Sequence, residues 1–322
     1  MTILVTGGAG YIGSRTVHFL LNKGYNVVVA DNLSRGNKPA IPEGAHFVEI
    51  SIDDPAMDKV FQTYRPDAVI HFAAYAYVGE SNTEPLLYYY NNTASSIRFL
   101  ESMTRNGCRN IVFSSTCSLY GNPVTVPITE SEPVKPMNTY AETKAQIEKA
   151  LEDCSAAGML NYAALRYFNA AGAAPDGSMG ESHDPEPHLI PLVLMAAQNG
   201  TSVKIFGDDY PTPDGTCIRD YIHIDDLASA HILAVEKVMK EKKNFVLNLG
   251  TGQGNSVKEI ITRSEIISGK KIKADIAPRR PGDPAVLVAD NKKAVEALGW
   301  KPQYNIEDIL NHAWNWLQNK RY

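Results

Sequence analysis

The chain has 322 residues, 44% hydrophobic and 21% charged, the balance of a globular protein that buries a large core in one large or two interlocked domains. A net charge of −5 and a pI near 5.9 exclude nucleic acid as the main partner, since phosphate binding needs a basic surface. Cys108, Cys117, Cys154 and Cys217 show no metal-ligand spacing, no apolar run approaches about 18 residues, and no signal peptide is expected. Free thiols, no membrane partner and a cytoplasmic location are expected.

Short apolar runs at 3–6, 26–30, 45–49, 68–71, 110–114 and 161–168 predict strands. Their apolar content on both faces suits a parallel sheet covered on each side. Helical patterns at 12–23, 54–64, 84–106 and 138–157 alternate with them, which means right-handed crossovers and a doubly wound α/β sheet of the Rossmann type. After Asn169 comes a Gly- and Pro-rich stretch, 170–188, that reads as a long functional loop. Mixed elements follow: helix 189–199, strand 203–206, helix 225–241, strand 244–248, helix 256–268, a strand near 272–275, and terminal helices. The expected division is a dinucleotide-binding domain at 1–169 and a smaller α/β domain at 170–322, with some later segments returning to the first.

VTGGAGYIG sets Gly7, Gly10 and Gly13 between the first strand and the first helix. Glycines there let the backbone turn tightly and approach a pyrophosphate lodged on the helix N-terminus. Asp31 ends the next strand, 18 residues after Gly13, at the spacing of a carboxylate that holds ribose hydroxyls. Its charge repels a 2′-phosphate and favours NAD over NADP, with Arg35 nearby as the one counter-argument.

Tyr140 and Lys144 stand four apart where a helix opens, so they share a face near the carboxyl edge of the sheet. An ammonium beside a phenol favours phenolate, making Tyr140 a general base and acid toward a substrate hydroxyl. Thr116, in FSST, offers a hydroxyl to the same oxygen. Two further groupings are discounted. His183, Asp184, Glu186 and His188 lie in a Pro-rich loop without fixed spacing, so no metal is expected, and Asp225–Asp226 reads as a helix cap.

VTGGAGYIG, VVVADN, VIHFAA, YYYNN, FSST, NTYAETK and LRYFNAAG, in this order, resemble the extended short-chain dehydrogenase/reductase superfamily. IFGDDYPTPDGTCIRDYIHIDDLA, LNLGTG and RRPGDP resemble the UDP-glucose 4-epimerases, so the likeness spans nearly the whole chain. The resemblance implies that Tyr11 and Ile12 lie along the pyrophosphate of NAD, and that Asp31, Asn32, Ser34, Arg35 and Gly36 surround its ribose. Ser51 and Ile52 fall at the adenine, Phe72, Ala73 and Ala74 behind the cofactor, and Asn92, Lys144 and Phe168 near its nicotinamide half. For a UDP-sugar, Asn169, Arg219 and Arg280 would hold the diphosphate, His188 lies beside it, and Asp283 holds the ribose. Leu189 and the strand from Val203 to Phe206 would line the uracil. Leu287 stands where the family gates the 2-substituent of the sugar with Tyr or a smaller residue.

The chain departs from the family pattern in having Ser51 for an Asp, Ala76 for a Lys and His188 for an Asn. Related dehydratases and decarboxylases place acids just after the catalytic Thr, where this chain has Cys117 and Ser118. Without them a 4-ketose has no route to elimination and returns by re-reduction, which is epimerisation. The resemblance further implies a homodimer through the helices near 84–106 and 138–157. Alternatives are 4-epimerisation of another UDP-sugar (N-acetylhexosamine, pentose or uronate) and a catalytically silent NAD-binding regulator.

Overall fold

The computed structural model describes residues 1–280 and 282–322; Pro281 of the RRPGDP stretch lies outside them. The first half supplies β1 (Thr2–Thr6), β2 (Asn26–Asp31), β3 (His46–Glu49), β4 (Ala68–His71), β5 (Asn110–Thr116) and β6 (Asn161–Tyr167). Among them run α1 (Tyr11–Asn22), α2 (Met57–Tyr64), α3 (Val78–Thr83), α4 (Pro85–Tyr88), α5 (Ser95–Arg105) and α6 (Thr139–Ala156). The second half begins with β7 (Asn169–Ala171), α7 (Leu189–Asn199), β8 (Ser202–Phe206), β9 (Ile218–His223), α8 (Ile224–Glu241) and β10 (Phe245–Leu249). It closes with β11 (Gly254–Ser256), α9 (Val257–Ser268), β12 (Lys273–Ala277), β13 (Val286–Leu287), α10 (Lys292–Leu298) and α11 (Ile306–Gln318).

The main sheet is parallel throughout and runs β10-β6-β5-β4-β1-β2-β3. Alternation along β1 shows why it is covered twice. Ile3 and Val5 pack with Val17 and Leu20 of α1 and Leu227 of α8, while Leu4 packs with Met57, Phe61 and Phe99 on the other face. This is the doubly wound α/β fold the runs predict. α8 and β10 come late in the chain yet complete this sheet, so one cut at residue 170 does not separate the two lobes. The smaller lobe has β11-β9-β13 with β7 alongside β9, and the pair β12-β8.

Two local expectations differ. The run at 84–106 is not one helix: α4 passes into a π-helical turn at Tyr89–Ala94 before α5. The π turn carries Asn92, whose amide is drawn inward to the backbone of Tyr75, the kind of local widening that accompanies an inserted side chain. Asp225 and Asp226 are not caps. His223 caps α8, leaving Asp225 to pair with Arg15 at 2.6 Å and Asp226 to accept from the backbone of Gln303 and Tyr304.

Candidate active site

The carboxyl ends of the parallel strands open into a cleft of about 1330 Å³ between the lobes. On its floor the β1–α1 turn is compressed. Gly7 has a φ of +70°, and a Cβ there would sit 2.6 Å from the Ala73 nitrogen; one on Gly13 would sit 2.2 Å from the Gly7 carbonyl oxygen. α1 then starts from Gly10 with no acidic residue in its first turn, a terminus suited to an anion. Asp31 is buried at the end of β2, where its carboxylate accepts from the backbone of Ala9 (3.0 Å) and Leu33 (2.9 Å). Burial raises its pKa and those two bonds oppose the rise. A cradle a Cβ would fill, an uncluttered helix N-terminus and a carboxylate at the ribose position together fit a dinucleotide without a 2′-phosphate.

Arg35, the counter-argument to NAD, is already committed. It pairs with Glu80 at 2.6 Å and lies 4.8 Å over the rings of both Tyr75 and Tyr77. Tyr11, Ile12, Asn32, Ser34, Gly36, Ser51, Ile52, Phe72, Ala73, Ala74 and Phe168 all line the cleft. Ser51 accepts from Asn32 at 3.3 Å, and the Tyr11 hydroxyl donates to the Gly172 carbonyl at 2.5 Å. Asn92 does not line it; its neighbour Asn91 does. Asn92 is fully buried, clamping both backbone groups of Tyr75 and the Thr143 hydroxyl, so it shapes the wall from behind.

The reactive group forms where β5 ends and α6 begins. Thr116 is extended, and its hydroxyl accepts from the Ser118 nitrogen at 3.1 Å, capping the short turn Cys117–Tyr120. Asn138 caps α6 and sets Tyr140 and Lys144 one turn apart on the cleft. The Lys144 ammonium donates to the Ser114 carbonyl at 2.8 Å and lies 5.9 Å from the centre of the Tyr140 ring. Burial lowers its pKa to about 7, with Glu148 opposing. Burial and the nearby Tyr167 hold the Tyr140 phenol well above its ordinary range, and hydrogen bonding to Thr116 pulls it down. Of the two groups expected to act on the phenol, Thr116 hydrogen-bonds it, while the Lys144 ammonium is turned to the Ser114 carbonyl.

Across the cleft stand Asn169, His188, Leu189, Val203, Phe206, Arg219, Arg280, Asp283 and Leu287. Arg219 is buried on β9 and bonded to Asp283, while the Arg280 guanidinium lies 4.1 Å over the Phe206 ring. Arg219 does not pair with its neighbour Asp220, which is buried and accepts from Thr251, Gly252 and Ala289. Leu287 packs with Cys117, Tyr120 and Phe168, directly on the wall beside Thr116. The sequence reading passed over Tyr75, Tyr77 and Glu80, which fix Arg35. Of the discounted group, His183, Glu186 and His188 reach the cleft and Asp184 does not, while Glu181, which the sequence did not single out, reaches it with them. Only their acid–imidazole alternation signalled them, and a loop gives that alternation no fixed geometry.

The NAD dependent epimerase/dehydratase family profile matches residues 3–250. A UDP-glucose 4-epimerase of Halalkalibacterium halodurans is 51% identical over 318 residues, covering 98% of this chain and 95% of that protein. The crystal structure of UDP-glucose 4-epimerase from Brucella ovis in complex with NAD superposes with a TM-score of 0.94 at 46% identity, covering 97% of each chain. That of UDP-glucose 4-epimerase from Bifidobacterium longum in complex with NAD+ and UDP gives 0.94 at 39% identity over 99% of each.

Proposed function

The chain belongs to the NAD dependent epimerase/dehydratase family, and from that premise we propose that it interconverts UDP-glucose and UDP-galactose at carbon 4 of the sugar. The glycine turn and Asp31 would hold NAD, which when bound would supply the acceptance and return of hydride at that carbon. Tyr140 takes the proton of the 4-hydroxyl, and Thr116 hydrogen-bonds the same oxygen and steadies the charge on the phenol. Arg219 and Arg280 anchor the diphosphate, since a planar fork matches phosphate oxygens. Asn169 lies beside them, and Asp283 stands ready for the uridine ribose. The 4-ketose turns about its diphosphate linkage and presents its other face, and Tyr140 returns the proton.

One observation carries this reading past simple oxidation: no acid follows Thr116. Cys117 is buried and its thiol is pushed up to about 12, so it stays protonated and cannot serve as the base that elimination requires. Ser118 has no useful acidity. The ketose can only be reduced again. The same reading places the enzyme in the cytosol, consistent with four free thiols, and as a homodimer. No helix among the described residues is long and apolar enough to cross a membrane. The direct test is to incubate the purified chain, without added NAD, with UDP-galactose and to separate the nucleotide sugars. UDP-glucose is expected, with NAD recovered from the denatured protein. A 4,6-dehydrated product, or no conversion, contradicts the proposal.

A further inference from the structure

The segment 172–188 between β7 and α7 forms a strap along the rim of the cleft. It is tied at its far side by α11 and the C-terminus, where the Trp316 indole donates to the Glu181 carbonyl at 2.8 Å and Ser182 donates to the Tyr322 carbonyl at 3.0 Å. Four side chains of the strap turn toward one point. Single ligand atoms of Glu181, His183, Glu186 and His188 all lie within 4.8 Å of one another. His188 Nδ1 is 2.5 Å from Glu181 Oε1 and 3.2 Å from Glu186 Oε1. His183 Nδ1 is 3.2 Å from Glu181 Oε1 and 3.6 Å from Glu186 Oε2. Each imidazole nitrogen thus faces each carboxylate. In a four-coordinate site with bonds of about 2.0–2.1 Å, neighbouring ligand atoms stand about 3.3 Å apart; three of these separations lie near that value, while the 2.5 Å contact of His188 with Glu181 would lengthen on binding and Glu186 would offer one of its two oxygens.

Two observations distinguish the group from an ordinary charged surface. The side chains of Glu181 and Glu186 are only 6% and 7% exposed, so two carboxylates are held out of water together. His183 Nδ1 is closed off from solvent and has no hydrogen-bond partner, although both carboxylates are within 3.6 Å. An N–H aimed at either oxygen would have bonded. The nitrogen therefore faces two carboxylates without a well-aligned hydrogen bond to either, and native structures usually give a buried polar atom a better partner.

We propose that Glu181, His183, Glu186 and His188 bind one divalent transition-metal ion, Zn²⁺ by ligand chemistry, which staples the strap over the cleft. Two imidazole nitrogens and two carboxylate oxygens suit zinc, and two carboxylates balance its charge. Four protein ligands leave no open position, so the ion's role is structural, not catalytic. The staple bears on the cofactor side through Tyr77, whose ring meets His183 and His188 edge-on at 5.5 and 6.5 Å and lies under Arg35. It is independent of which sugar the enzyme turns over.

The test uses the full chain, freed of metal by chelator and titrated with Zn²⁺ while heat and bound metal are measured. One equivalent per chain, binding at micromolar concentration or below and raising the melting temperature, is expected. Co²⁺ in place of Zn²⁺ should give the intense visible absorption of a four-coordinate site, a readout that needs wild-type protein only. His183→Ala and Glu186→Gln should each weaken uptake about 100-fold or more, at or beyond the loss seen for outer-shell partners alone. Absence of tight uptake by wild type, a six-coordinate Co²⁺ spectrum, or equal uptake by wild type and both variants would overturn the site. The four groups would then be held by protons on the imidazoles instead.

Discussion

Burial moves the two reactive side chains of α6 in opposite directions, the Tyr140 phenol up and the Lys144 ammonium down to about 7. Each is thereby pushed toward its neutral form. For Lys144 this links stability to pH. Between pH 7 and the ordinary lysine value of 10.5, the unfolded chain holds a proton that the folded chain lacks, so stability rises with pH across that window. Below about pH 7 the cost of burying the group is fully present. Compared with Lys144→Met, wild type should therefore gain up to about 1.4 kcal/mol per pH unit between roughly pH 7.5 and 9.5 in denaturant unfolding; parallel curves would show that the ammonium is not buried as described. Tyr140→Phe keeps the ring and loses only the oxygen. It should lower turnover about 100-fold or more while leaving NAD content and melting temperature near wild type, as measured by steady-state assay and cofactor release. The identity and spacing of both residues were legible in NTYAETK. Their protonation was not, because it depends first on burial and then on Tyr167 of β6 beside the phenol and Glu148 of the next turn of α6 beside the ammonium.

Among the elements, strands made of apolar runs were legible, since burial on both faces leaves no polar position to blur the pattern. β9 was missed because Arg219 and Asp220 interrupt it with charge, and both prove to be buried for particular duties, one toward Asp283 and one as acceptor for three backbone groups. α3 was missed because VGESNT is short and polar, and the break at Tyr89–Ala94 because a π turn has no sequence periodicity of its own. The glycine turn falls between β1 and α1 where its spacing predicts, and the structure adds which glycine is least replaceable. Gly13→Ala would place a methyl 2.2 Å from the Gly7 carbonyl oxygen, a rigid atom that cannot move aside. The expected result is folded protein that purifies with little or no NAD, scored by the nucleotide released on denaturation. Full NAD content in that variant would mean that the turn relaxes without harm to the cradle.

At the scale of the molecule, Leu86, Tyr90 and Ile97 of the α4–α5 segment are 80%, 67% and 49% exposed. The proposed homodimer would cover these three exposed apolar groups, since a second copy meeting them about a two-fold axis would bury the same residues twice. Leu86→Asp with Ile97→Asp should shift the mass in sedimentation from dimer to monomer; an unshifted dimer would place the interface elsewhere. The central claim concerns the whole cycle: one cofactor, held throughout, takes hydride from carbon 4 and gives it back to the same carbon. It is tested most directly with UDP-galactose carrying deuterium at carbon 4 of the sugar, turned over in ordinary water with unlabelled free NAD present. UDP-glucose that retains deuterium at carbon 4, with none in water or in the free nicotinamide, is the predicted result. Label lost to solvent, or passed to the free cofactor, would contradict it.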